Sequence, residues 1–219
     1  MSDNLNKFKS LQNNNVKHYG NATKVYTTIG ASSHSNTDRE EDDYYATPPK
    51  AVKQLIQLED FCHNILEPCC GEGHIAKTLI DLGYNVESSD LVNRGFGDRF
   101  CSIMDLEGPY DKCIITNPPY KYALEFAEKC LELVSDGHKV AMFLKLSFLE
   151  TSKRYYFFKR YPIKKVYVSS NRLGCGKNGY FDLVDKDGEI NAGSAVCYAW
   201  FVWQKGYEGP TIIDFFNHD

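Results

Sequence analysis

No apolar run in this sequence approaches membrane-spanning length, and its start, MSDNLNKFKS, is not a signal peptide. A protein of the cytosol is expected, with no membrane partner. The sequence also lacks any Cys-x-x-Cys pair. Its eight cysteines, at 62, 69, 70, 101, 113, 130, 175 and 197, have no zinc-ligand spacing, so no metal is expected. Several lie inside apolar runs, where a thiol acts as a small buried hydrophobe, and the cytosol disfavours disulfides. There is no internal repeat, which excludes solenoid architectures. There is no excess of positive charge either: the net charge of −4 does not by itself favour nucleic acid.

What is present suits one α/β domain with a short extension, since 219 residues with 42% hydrophobic content can bury a core. Residues 1–43 are polar, Asn-rich at first and acidic at their end, and read as an arm that is at least partly flexible. The domain is expected over 44–219. Thr47 before Pro48 reads as a helix start, with Thr as the cap and Pro in the first turn. A strand then runs into EPCCGEG, a helix covers His74 to Leu82, and a strand ends at Asp90. Short strands follow at Cys101–Met104 and before Asn117. Ala123, Phe126, Ala127, Cys130, Leu131 and Val134 form one helical stripe. KVAMFLKLSFL is a strand, ETSKRYYFFKRY a basic aromatic helix, KKVYVSSNRL a strand and VCYAWFVWQKG the last strand. Residues 174–195, with five glycines, read as a long loop.

Strands alternating with helices predict a mostly parallel sheet with helices on both faces. The last two strands have no helix between them, which predicts an antiparallel edge strand. In such sheets ligands bind at the carboxyl ends of the strands, and four polar clusters fall there. In Glu67-Pro68-Cys69-Cys70-Gly71-Glu72-Gly73, two glycines let the backbone turn sharply beside a ligand. The third glycine of the dinucleotide fingerprint is missing. Asp90 is placed to accept from ribose hydroxyls, and Asp105 from an adenine amine.

The fourth cluster is Asn117-Pro118-Pro119-Tyr120. An exocyclic aromatic amine is a poor nucleophile because its lone pair is delocalised into the ring. The Asn117 side-chain oxygen and the Pro118 carbonyl can accept its two protons, which favours a pyramidal nitrogen. Pro119 stiffens the turn, and Tyr120 can stack on a flipped base.

On these residues the sequence resembles the amino-methyltransferases of the Rossmann-like S-adenosylmethionine superfamily. Within them it is similar to the small DNA N6-adenine methyltransferases of phages and prophages. The order Tyr45-Ala46-Thr47-Pro48, Glu67 to Gly73, Asp90, Asp105 and Asn117 to Tyr120 carries the resemblance. It implies seven strands with an antiparallel last strand, and a bacterial or phage-infected cell. It also implies an S-adenosylmethionine site made of Tyr45, Thr47, Glu67, Pro68, Gly71, Gly73, Asp90 and Asp105. In that site Thr47 and the helix start would hold the cofactor's carboxylate, and Glu67 and Gly71 would line its methionine part. The expected partner is DNA, with RNA possible. Release-factor glutamine methyltransferases share the turn but carry a helical N-terminal domain that residues 1–43 cannot supply. A non-catalytic S-adenosylmethionine- or DNA-binding module is the remaining alternative. Residues 151–180 carry eight positive charges and no acid. From these, Lys153, Arg154, Arg172 and Lys177 are expected to contact phosphates.

Overall fold

The computed structural model describes residues 45–170, 176–177 and 196–217. The arm expected over 1–43 lies outside the described residues, as does the loop expected over 174–195 apart from 176–177. No helix among the described residues is long and apolar enough to cross a membrane.

The described strands are β1 (Tyr45–Ala46), β2 (Asn64–Glu67), β3 (Asn85–Asp90), β4 (Arg99–Phe100), β5 (Cys113–Thr116), β6 (Lys139–Lys145), β7 (Lys165–Ser169), β8 (Gly176–Lys177), β9 (Tyr198–Gln204) and β10 (Ile212–Phe216). The helices are α1 (Pro49–Leu58), α2 (His74–Asp81), α3 (Ala123–Leu133) and α4 (Ser152–Arg160). Eight strands form one sheet in the order β10-β7-β9-β6-β5-β2-β3-β4, while β1 and β8 pair separately as a short antiparallel ribbon.

The α/β class and the mostly parallel sheet are as expected, and two details differ. The sheet has eight strands, because β10 adds alongside β7 in parallel. The antiparallel strand, β9, lies between β6 and β7 and not at the edge. The reason is burial. Every residue of β9 except Gln204 is buried, so both faces of this strand need cover. An edge position would leave one of its ladders open.

The pleat sends alternate side chains to opposite faces. Val140, Met142 and Leu144 of β6 join Ala199, Phe201 and Trp203 of β9 beneath α3 and Phe157 of α4. Ala141 and Phe143 join Trp200 and Val202 beneath α1 and α2. Trp200 is fully buried and donates its indole N–H to the Ala51 carbonyl at 3.0 Å, which ties α1 to the sheet. The stripe read from the sequence is the buried face of α3, where Ala123, Ala127, Cys130 and Leu131 are inside.

Helix α1 starts later than expected. Pro48 occupies the capping position and Pro49 the first turn, and no side chain caps the helix. Pro49 keeps its predecessor out of the helical region, so the boundary moves past Thr47.

Candidate active site

The parallel strands β2, β3, β5 and β6 end at one edge, and this brings Glu67, Asp90, Asn117 and Lys145 to the same side of the sheet. A cavity of about 580 Å³ opens there. Of the residues singled out from the sequence, Tyr45, Pro68, Asp90, Asn117 and Pro119 line it.

Asp90 joins two strand ends. Its Oδ2 accepts the Gly71 N–H at 2.8 Å, and its Oδ1 accepts the Val92 N–H at 2.9 Å. Arg94 Nη1 approaches Oδ1 at 3.3 Å. The turn that donates to Asp90 needs its glycines, since Gly71 has φ 54° and Gly73 φ 82°. The open side of Gly73 faces protein: an added Cβ would meet the Phe96 ring at 2.4 Å. Close approach at this glycine therefore serves the loop after β3, not the cavity.

Glu67 is buried at the end of β2, and its Oε2 has no hydrogen-bond partner. Burial pushes its carboxyl well above the usual range; a backbone hydrogen bond from Ala76 opposes this and the Asp90 charge adds to it. Thr47 Oγ1 is likewise buried without a partner.

The Asn117 turn follows the fully buried strand β5. Asn117 Nδ2 donates to the Tyr45 carbonyl at 2.6 Å, which fixes the amide plane and assigns its other end, the oxygen, as an acceptor. Pro118 is buried beside it. The Tyr120 ring stacks on Tyr45 at 5.7 Å and lies 5.8 Å from the Tyr198 ring. Lys145 Nζ sits over the Tyr120 ring, 4.7 Å from its centroid. The aromatic residue of this turn that lines the cavity is Tyr122.

Asp105 is not brought to the cavity. Ser102 Oγ accepts the Met104 N–H and starts a single helical turn that leaves Asp105 exposed, while Ser102, Ile103 and Met104 form the wall. Sequence reasoning missed these, and also Leu91, Val92 and Phe126. A signal was present: an apolar pair directly follows the strand-end acid at 90, and Leu91 stays 71% exposed.

The basic residues divide. Lys153 is exposed. Arg154 is half-buried and donates to the carbonyls of Ser147 and Glu150, with its guanidinium 4.6 Å from the Phe148 ring centroid. Burial lowers its pKa. It therefore holds the turn before α4 together. Arg172 lies outside the described residues, and only the backbone of Lys177 is described.

No protein-family model matches the sequence, and no curated protein matches it. Solved structures do. A Listeria monocytogenes protein assigned to the class I S-adenosylmethionine-dependent methyltransferases aligns with a TM-score of 0.56 at 13% identity, over 83% of this chain and 68% of that one. A Pyrococcus horikoshii protein assigned as an RNA methyltransferase gives 0.54 at 13% identity, over 83% and 98%. The modification subunit assigned to a type I restriction enzyme of Vibrio vulnificus gives 0.52 at 10% identity, over 91% of this chain and 53% of that one. This chain thus spans about half of that subunit. At such identities the likeness is one of fold: the chain has the fold of the class I S-adenosylmethionine-dependent methyltransferases.

Proposed function

We propose that the protein binds S-adenosylmethionine at the carboxyl edge of the sheet and methylates an exocyclic amine, N6 of adenine in DNA. The observation that carries this reading is the Asn117 amide. With its nitrogen held by Tyr45, its oxygen is the end left to meet an amine, in a wall shared with Asp90.

The residues present fit the cofactor. A buried polar atom without a partner costs about 1–3 kcal/mol, and Thr47 Oγ1 and Glu67 Oε2 are two such atoms. Neither residue lines the cavity, but Thr47 follows Tyr45 by two positions and Glu67 precedes Pro68, both in the lining, so the cofactor's carboxylate and ammonium would become their partners if the site opens to them. Asp90 suits the ribose hydroxyls; Arg94, at 3.3 Å, is a loose neighbour that a hydroxyl can replace. Leu91, Ile103, Met104 and Phe126 give the cavity an apolar wall suited to a purine. A volume of about 580 Å³ is in the range of small-molecule sites. Bound there, S-adenosylmethionine supplies a methyl group activated by its sulfonium.

The chain's own residues prepare the acceptor. Asn117 Oδ1 and the Pro118 carbonyl take the two amine protons in hydrogen bonds, which localises the lone pair on nitrogen. With the cofactor bound, the nitrogen would gain a bond to the methyl carbon as the carbon–sulfur bond breaks and the sulfur leaves as a neutral thioether, and the nitrogen would give one proton to solvent. Tyr122, in the cavity wall, offers a ring to a flipped base. Tyr120, packed against Tyr45 and Tyr198, steadies the turn.

The test uses methyl-labelled S-adenosylmethionine with unmethylated DNA, RNA or a release factor, followed by digestion and identification of the labelled residue. N6-methyladenine from DNA is expected. Label in RNA or in glutamine overturns the substrate. The Asn117→Ala variant is expected to bind the cofactor as wild type does and to transfer no methyl group; transfer at the wild-type rate removes Asn117 from the chemistry.

A further inference from the structure

Helix α4 buries one residue fully, Phe157 at 4% exposure, and turns two large rings outward, Tyr155 at 57% and Tyr156 at 62%. A helix that needed these rings for its core would not present them so. On a helix, residues three and four apart are neighbours. Tyr156 therefore has Lys153 one turn before it and Arg160 one turn after it, and Tyr155 has Lys159 one turn after it. Lys159 Nζ lies 5.5 Å from the Tyr155 ring centroid. The two rings meet edge to face at 5.3 Å. Lys153, Lys159 and Arg160 are exposed, and no ion pair engages them among the described residues. Residues 151–170 contain no acid.

This face alternates rings with cations, and none of its own residues is acidic. A protein partner with an apolar patch would match the rings but strand three cations. A fully paired duplex would match the cations but offer no base face to the rings. A strand with unpaired bases matches both, because each base has a face to stack on and each linkage a negative charge. The helix also follows closely on the turn Leu146–Leu149 after β6, at the edge of the sheet that carries the cavity. Its chain therefore departs from the edge of the sheet where the cavity opens.

We infer that the outer face of α4 is a docking surface for an unpaired stretch of the DNA substrate, with bases stacked on Tyr155 and Tyr156 and phosphates on Lys153, Lys159 and Arg160. The inference rests on the reading of the site as a DNA methyltransferase. It makes locally single-stranded DNA the preferred substrate form, a target from which the base needs no extrusion.

The experiment measures binding of the full chain to a fluorescein-labelled single-stranded oligonucleotide and to the same sequence fully paired. It compares wild type, the double variant Tyr155→Ala/Tyr156→Ala, and Tyr155→Phe/Tyr156→Phe. Both tyrosines are exposed, so the variants should melt as wild type does. The Ala pair is expected to weaken single-strand binding about tenfold or more and to leave duplex binding and salt dependence as they were. The Phe pair, which keeps the rings, is expected to bind like wild type. Equal single-strand binding by wild type and the Ala pair overturns the inference, as does an equal loss on both forms or no binding by wild type. N6-methyladenine formation by wild type is measured alongside. If it occurs and the Ala pair binds normally, the docking surface alone has failed; if it does not occur, the reading of the site has failed.

Discussion

Asp90 carries two jobs on one carboxylate. One oxygen pins the turn after β2 through the Gly71 N–H, and the other gathers Val92 and Arg94. A carboxylate offers about four acceptor positions, so a ribose hydroxyl finds either the remaining one or the place of Arg94. Asp90→Ala is expected to weaken S-adenosylmethionine binding by about 1.5–3 kcal/mol, the range for hydrogen bonds to a charged group. Calorimetry measures it directly, and an unchanged affinity moves the ribose to another acceptor. Arg94→Ala tests the complementary point: if the hydroxyl displaces Arg94, removing it should leave affinity the same or tighter.

Among the elements, the opposite edge of the sheet has its own electrostatic device. Glu59, just past α1, is buried with Lys139 Nζ at 2.5 Å and Lys165 Nζ at 3.0 Å, and it accepts from the Tyr167 hydroxyl at 2.7 Å. Burial favours the neutral acid, but hydrogen bonds from Lys139, Tyr167 and Lys165 outweigh it and bring the Glu59 pKa down to about 2. A carboxyl whose pKa is lower folded than unfolded stabilises the fold above its unfolded pKa. That stabilisation fades as pH falls from the ordinary value of 4.5 through about 2. Glu59→Gln leaves two lysines facing a neutral amide, and it is expected to cost about 3 kcal/mol at neutral pH. Urea unfolding at pH 7 and across the acid range checks both: wild type should lose more stability on acidification than Glu59→Gln does. Equal losses would deny Glu59 this role.

Elements whose information is local were legible in the sequence. The α3 stripe, the strand-end position of Asp90 and the Asn117 turn each follow from a few neighbouring residues. Three things were not. Pairing of β9 between β6 and β7 is set by residues far apart in the chain, although the unbroken apolar run AWFVW did mark it as covered on both faces. β10 is five residues long with Ile212, Ile213 and Phe215 exposed, so no period announces it. Asp105 looked like a strand-end acid, but β4 is two residues long and the chain has already turned at Ser102.

Over the whole molecule the net charge of −4 hides a division. The segment 151–170 is wholly basic among its charged residues, and two of its lysines, 164 and 165, are already bonded to Gln204 and Glu59. Lys153, Lys159 and Arg160 remain as surface cations. If they meet phosphates of an unpaired strand, replacing all three with Ala should flatten the log–log dependence of single-strand binding on salt, by about 0.7 for each phosphate no longer neutralised. A titration from low to moderate salt reads this slope, and identical slopes would put the phosphates on another face.

The insertion of β9 has a consequence for how the molecule is made. Translation delivers β6 and then β7, yet these two strands never touch: the strand that belongs between them is synthesised later. Until Tyr198–Gln204 leaves the ribosome, a nascent chain holds two strand borders, the backbone edges of β6 and β7 that β9 will pair, with nothing to zip them. Such open borders invite pairing with other chains. The late-made strand therefore acts as a keystone, and a ribosome that stalls before it releases a product that is all arch and no lock.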